Sequence, residues 1–114
     1  MKNIFITQRI THIKKYGEMR DCIDQNMISW VVNLNMNPIL VPNNLIKKKG
    51  ELDKFIKNNK PHGLILTGGD DIGKFLIRDK TENYLLNFFI SKNKPIFGIC
   101  RGMQIINLFF KGNL

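Results

Sequence analysis

No stretch of the 114 residues approaches the roughly 20 consecutive apolar residues that a bilayer span requires. The opening MKNIFITQRI has one early lysine, a short apolar run and no small-residue cleavage pattern, so it does not read as a secretory signal. The expectation is a soluble cytoplasmic protein with no membrane partner. Cysteine is scarce. Cys22 and Cys100 stand far apart with neither a CxxC nor a Cys/His spacing, which argues against a disulfide framework and a zinc site. No metal or cofactor is expected. Histidine is limited to His12 and His62. Low-complexity linkers and internal repeats are missing as well, and one domain accounts for the length. Acidic residues number 9 against 18 basic ones, a formal charge of +9. A nucleic-acid surface is one reading of that charge. The lysines are scattered apart from Lys47 to Lys49, however, and accompany a general richness in Asn and Ile. Such a bias reflects genomic base composition more often than a binding face, so no nucleic-acid partner is expected.

What is present alternates strand-like with helix-like segments, the pattern of an α/β fold. Residues 3–7 form an apolar run suited to a buried strand, and the polar QRITHIKKYGEMRD that follows reads as a loop. From Asp21 to about Met36, Ile23, Met27, Trp30, Val31 and Leu34 recur at helical spacing, with Asp21 as N-cap. Residues 38–42 make a short strand, 51–59 an amphipathic helix, 63–66 a third strand, 78–92 a helix, and 95–99 a fourth strand. A last helix starts just after Cys100. Strands separated by helices must run parallel, so all four point their C-terminal ends at one edge, where such sheets place their sites.

At that edge Gly98-Ile99-Cys100-Arg101-Gly102 has the G-x-nucleophile-x-G spacing of a nucleophile elbow, with cysteine in place of serine. A strand that turns at once into a helix leaves no room for side chains at the flanking positions, which explains the glycines. The helix start then aims its free amides at the sulfur and favours thiolate over thiol. The plain alternative, a small buried hydrophobe ending a strand, explains neither the glycines nor the switch from strand to helix. For Cys22, which has neither feature, the plain reading holds. The second glycine turn, LTGGDD, leaves the adjacent strand at the same edge. Gly68 and Gly69 are placed to present free amides to an oxyanion near Cys100, with the amide of Arg101 as the second donor. Taken alone, the turn is equally a tight bend capped by Asp70 and Asp71.

These residues resemble the class I glutamine amidotransferase-like superfamily, and within it the peptidase C26 group of γ-glutamyl amide hydrolases. The stretches that carry the likeness are GLILTGGDDIG, RDKTENYLL and KPIFGICRGMQIINLF, with the opening TQR…YGEMRDCIDQNMISWVV…PILVPNN in support. The resemblance implies a flavodoxin-like three-layer α/β sandwich with a mostly parallel sheet. It also implies that Cys100 attacks a γ-glutamyl carboxamide, releases an amine or ammonia, and leaves a thioester that water hydrolyses. Gly69 and Arg101 would hold the oxyanion. Gln104 matches a position that helps hold the γ-glutamyl group in relatives, and as a residue it is equally an ordinary polar helix position. Gln104, Gly68, Gln8 and Arg9 are the expected substrate contacts. Arg78, Asp79 and Glu82 match a recurring family stretch, which a helix cap with i,i+3 pairing explains as well.

Such a nucleophile needs a base, and the resemblance places a histidine and its carboxylate downstream of the cysteine. Neither falls within these residues, so the chain is expected to be the N-terminal portion of such a domain. His62 precedes the third strand and belongs to the opposite edge; His12, in the loop after the first strand, is on the correct side. Three functions follow as expectations. The chain is a cysteine hydrolase of a small γ-glutamyl amide, or a glutaminase component feeding ammonia to a synthetase partner, or an inactive remnant that only binds a partner or nucleic acid. A homo-oligomer is compatible with each.

Overall fold

A computed structural model describes residues 1–114. The chain runs through β1 (Lys2–Ile6), β2 (Arg9–Ile13), β3 (Glu18–Cys22), α1 (Gln25–Asn33), β4 (Met36–Leu40), α2 (Glu51–Asn59), β5 (Gly63–Leu66), α3 (Leu76–Ser91), β6 (Ile96–Gly98) and α4 (Arg101–Phe109). Four strands form one sheet in the order β4-β1-β5-β6, every pairing parallel. Alternate side chains sort to its two faces. Ile4 and Ile6 of β1 and Ile65 of β5 meet Val31 of α1 on one side; Phe5, Leu64 and Leu66 meet Leu52, Ile56, Leu85, Leu86, Phe89 and Ile105 on the other. With α1 on one face and α2, α3 and α4 on the other, the architecture is the expected flavodoxin-like three-layer sandwich.

Phe5 lies at the centre of the larger cluster, fully buried, its ring 5.3 Å from that of Phe55 and 6.0 Å from that of Phe89. Phe5→Ala is expected to cost about 3–5 kcal/mol, from lost transfer energy and the cavity left behind. A urea midpoint lowered by that energy divided by the slope, with the slope itself unchanged, checks it.

Three expectations change. The polar segment after β1 is a hairpin rather than a loop: β2 pairs antiparallel with β3 around a left-handed Gly17. Of its strand residues only Ile10 is buried and only Ile13 and Cys22 are half-buried, so hydrophobic periodicity had almost nothing to report. Helix α1 starts at Asp24, whose carboxylate accepts from Asn26 N at 2.9 Å, and not at Asp21. Asp21 is committed elsewhere, accepting from Asn43 N at 3.0 Å and Asn43 Nδ2 at 2.9 Å. The second core strand begins two residues earlier than expected, at Met36, with Pro38 inside it. An edge strand tolerates proline because one side needs no donor.

On the α1 side the helix covers β4 and β1 more fully than β5 and β6. A cleft of about 360 Å³ opens there, lined by Trp30, Leu34, Pro95 and Phe97 among others. Trp30 and Phe97 pack ring to ring at 6.0 Å yet stay 45% and 53% exposed.

Candidate active site

The sequence of β6 ends in glycine and the next helix begins three residues later, so one residue must reverse the chain. Ile99 still belongs to the sheet, donating its N–H to Leu66 O at 2.9 Å. Cys100 makes the turn with φ 52° and ψ −111°. This positive φ costs a non-glycine residue about 1–3 kcal/mol and persists only where the surroundings enforce it, typically at functional sites. The enforcing contacts are backbone. A Cβ on Gly98 would lie 2.7 Å from the Gly102 carbonyl carbon, and one on Gly102 would lie 2.8 Å from that of Leu66. Both glycines of the elbow therefore do the steric work expected of them. Cys100 is exposed, at the start of α4.

The glycine turn after β5 lies alongside. A Cβ on Gly68 would stand 3.5 Å from the Cβ of Cys100. Gly69 has φ +118°, and a side chain there would run into Arg9 Cβ at 2.7 Å, so glycine is required twice over. The amides of Gly68, Gly69 and Arg101 have no acceptor in the chain. Three N–H groups without an acceptor thus lie on the segments that leave β5 and β6 at the C-terminal edge of the sheet, with Gly68 against Cys100, an arrangement suited to an oxyanion.

Arg9, exposed at the start of β2, lines a cleft of about 200 Å³ with Cys22, Asp24, Met27, Thr67, Gly68 and Gly69. Gln8 is turned into the fold, its Nε2 donating to Val41 O at 3.1 Å, so of the expected pair it is Arg9 that faces the cleft. Gln104 is exposed in the first turn of α4. His62 sits at the N-terminal edge, its Nδ1 accepting from Asn3 N at 2.9 Å, as expected for the strand it precedes. His12 stands in β2 opposite Met19 and lines a separate cleft with Gly69 and Lys74. Neither histidine is hydrogen-bonded to Cys100.

Beneath the two loops lies a feature that sequence reasoning missed. Arg78, Glu82 and Arg101 have side chains 0%, 0% and 3% exposed. Glu82 Oε2 accepts from Arg78 Nε at 3.2 Å, its Oε1 accepts from Arg101 Nη1, and Asp79 accepts from Arg101 Nη2. Asp70 pairs with Arg78 Nη1 at 3.3 Å and accepts from Ile10 N at 3.0 Å, tying in the hairpin. Burial pulls the Arg78 guanidinium below its ordinary pKa; Glu82 and Asp70 oppose this, and Arg101 adds to it. In place of the expected surface cap with i,i+3 pairing there is a buried i,i+4 pair. The signal was present in the helix periodicity: Arg78 and Glu82 share the stripe that carries Leu85, Leu86 and Phe89, all buried.

Known proteins carry the same arrangement of sequence. The chain is 36% identical over 75 residues to the glutamine amidotransferase-like YvdE homolog of Lactococcus lactis subsp. cremoris, covering 52% of this chain and 40% of that protein. It is 26% identical over 119 residues to the gamma-glutamyl-CDP-amidate hydrolase of Campylobacter jejuni, covering 97% of this chain and 56% of the relative. It is 31% identical over 83 residues to one of the subunits of the glutamine-hydrolyzing GMP synthase of Methanococcus vannielii, covering 73% and 40%. The chain thus spans about half or less of the length of these relatives. The peptidase C26 family profile matches residues 4–114, a span that takes in both glycine turns, the buried arginines and Cys100. The chain belongs to the peptidase C26 family.

Proposed function

We propose that this chain supplies the nucleophile and oxyanion site of a cytoplasmic hydrolase that cleaves a small γ-glutamyl amide through a γ-glutamyl thioester. The observation that carries the reading is the strained, exposed Cys100 set among three unpaired amides. In the first step the Cys100 sulfur bonds to the γ-carbonyl carbon and the π pair moves to oxygen, where the amides of Gly69 and Arg101, with Gly68 beside them, stabilise it. The pair returns, the C–N bond breaks, and the amine departs carrying the proton that the Cys100 thiol gave up. Water then attacks the thioester, the same amides hold the second oxyanion, and glutamate's γ-carboxylate leaves Cys100 as thiol. Arg9 and Gln104, both exposed, are the proposed contacts for the rest of the substrate, and Gln8 contributes by pinning the start of the hairpin that carries Arg9. No cofactor takes part. The name of the Campylobacter relative, a hydrolase of a γ-glutamyl amidate, supports this chemistry.

Proton delivery to the amine is the part that neither His12 nor His62 is bonded to perform, so the test uses a reagent that needs none. A glutamine analogue with a chloromethyl ketone in place of the carboxamide is expected to alkylate Cys100 saturably and about 10-fold or more faster than Cys22. Glutamine, or a γ-glutamyl amine, protects. Peptide mapping by mass spectrometry reads the site. Equal slow labelling of both cysteines overturns the reading and leaves the binding-only alternative.

A second reading, a glutaminase delivering ammonia to a synthetase, is supported by the glutamine-hydrolyzing GMP synthase relative. It predicts glutamine hydrolysis that rises when a synthetase partner is added. The first reading predicts rates indifferent to one.

A further inference from the structure

We infer that Arg78 is a positioning residue: from inside the core it sets the direction of the oxyanion amides at the glycine turn, and through Glu82 it is locked to the arginine that opens helix α4. The inference rests on the reading of Cys100 as an acyl-accepting nucleophile.

Arg78 Nη2 donates to the carbonyl of Thr67 at 3.0 Å and to that of Gly68 at 3.0 Å. In a planar trans peptide the carbonyl and the following N–H point in opposite directions. Drawing two successive carbonyls toward one buried cation therefore turns the amides of Gly68 and Gly69 away from it. Those are the amides without acceptors, and Gly68 is the residue that borders Cys100. The guanidinium is held from behind by Glu82 on Nε and by Asp70 on Nη1. Its own freedom to rotate is gone.

The same Glu82 carboxylate accepts from Arg101 with its other oxygen, and Arg101 supplies the third free amide. Both halves of the oxyanion site thus lead back to one carboxylate. Asp79 extends the cluster, accepting from Arg101 and from Gly73 N at 2.8 Å, so the far end of the glycine loop is tied to it as well. A purely structural role explains this poorly. Buried ion pairs seldom stabilise more than a well-packed apolar replacement would, whereas no apolar side chain can hold two carbonyls in register. Arginine is also specifically required, because lysine's point charge cannot occupy two carbonyls and two carboxylates in fixed directions.

The experiment compares two reactions of Cys100 in the same preparation. Acylation by p-nitrophenyl acetate forms a sulfur–carbon bond, passes through an oxyanion and expels nitrophenolate. Alkylation by iodoacetamide is a displacement with no oxyanion. In Arg78→Lys the acylation rate is expected to fall about 10²-fold, as when one oxyanion donor is lost, while alkylation and the circular dichroism spectrum stay as in the unmodified chain. Equal losses in both reactions, or no loss of acylation in a folded variant, overturn the proposal. Should Arg78→Lys fail to fold, Asp70→Asn decides by the same comparison: it removes the charge that anchors Nη1 and keeps a carbonyl oxygen to accept from Ile10 N, and a selective fall in acylation of roughly 10-fold is expected. Because p-nitrophenyl acetate has no γ-glutamyl group, failure here is separate from failure of the substrate reading, which the chloromethyl ketone decides.

Discussion

On the proposed mechanism, Cys100→Ala is expected to lower γ-glutamyl amide hydrolysis by about 10⁴-fold or more and to abolish the thioester, while leaving the fold intact. The kinetic size follows from the role. With the nucleophile gone, the amides of Gly69 and Arg101 have no covalent intermediate to stabilise, and only binding and weak polarisation of the carbonyl remain. The structural side follows from exposure. Cys100 projects from the turn into solvent, so its truncation opens no cavity, and the strained φ is enforced by Gly98, Gly102 and Leu66 whichever residue occupies the corner. A change in stability within about 0.5 kcal/mol is expected, the range of surface substitutions. Turnover and a thermal melt on the same sample check both halves. Undiminished hydrolysis in Cys100→Ala would remove this cysteine from the mechanism.

Gly102→Ala is expected to cost the protein both stability and the geometry of its elbow. Helix propensity alone favours alanine over glycine by about 1 kcal/mol. Against that, the added Cβ would press on the Leu66 carbonyl at the end of the central strand β5, where Leu66 is fully buried and neither partner is a flexible side chain able to step aside. Helix α4 would have to lift from the sheet, carrying the Arg101 amide away from Cys100. A loss of about 3 kcal/mol or more is expected, the upper range for overpacked cores, read as a lower denaturant midpoint. A neutral or stabilising result would mean that α4 does not sit as close to β5 as described.

Much of this was legible in the residues themselves. The inner strands could be read because Ile4, Phe5 and Ile6, and Leu64, Ile65 and Leu66 one strand over, are unbroken apolar runs, the mark of strands buried on both faces. The elbow could be read because two glycines around a cysteine have a steric meaning at a strand-to-helix corner. The hairpin from Arg9 to Cys22 could not, since a ribbon with one buried residue leaves no periodic trace. Nor could the destination of Asp21, whose partner Asn43 is remote in sequence, and Asp24 offered an equally good cap three residues on. The buried ions were hidden for a different reason. Arg78 and Glu82 look like surface residues by type, and only their place on the apolar stripe of α3 betrays them; Arg101 completes the group from another helix. The orientation of Gln8 depended on Val41, a contact no local pattern encodes.

The open side of the sheet has a practical consequence of its own. Trp30 is the chain's sole tryptophan, and it stands at the mouth of the apolar cleft against Phe97, half in water. Its indole emission therefore reports on that face without any label. Whatever packs over β5 and β6 beside Phe97 dehydrates the indole and shifts its fluorescence toward the blue. The molecule thus carries two gauges of different kinds: light for the cleft, and thiol chemistry for the elbow.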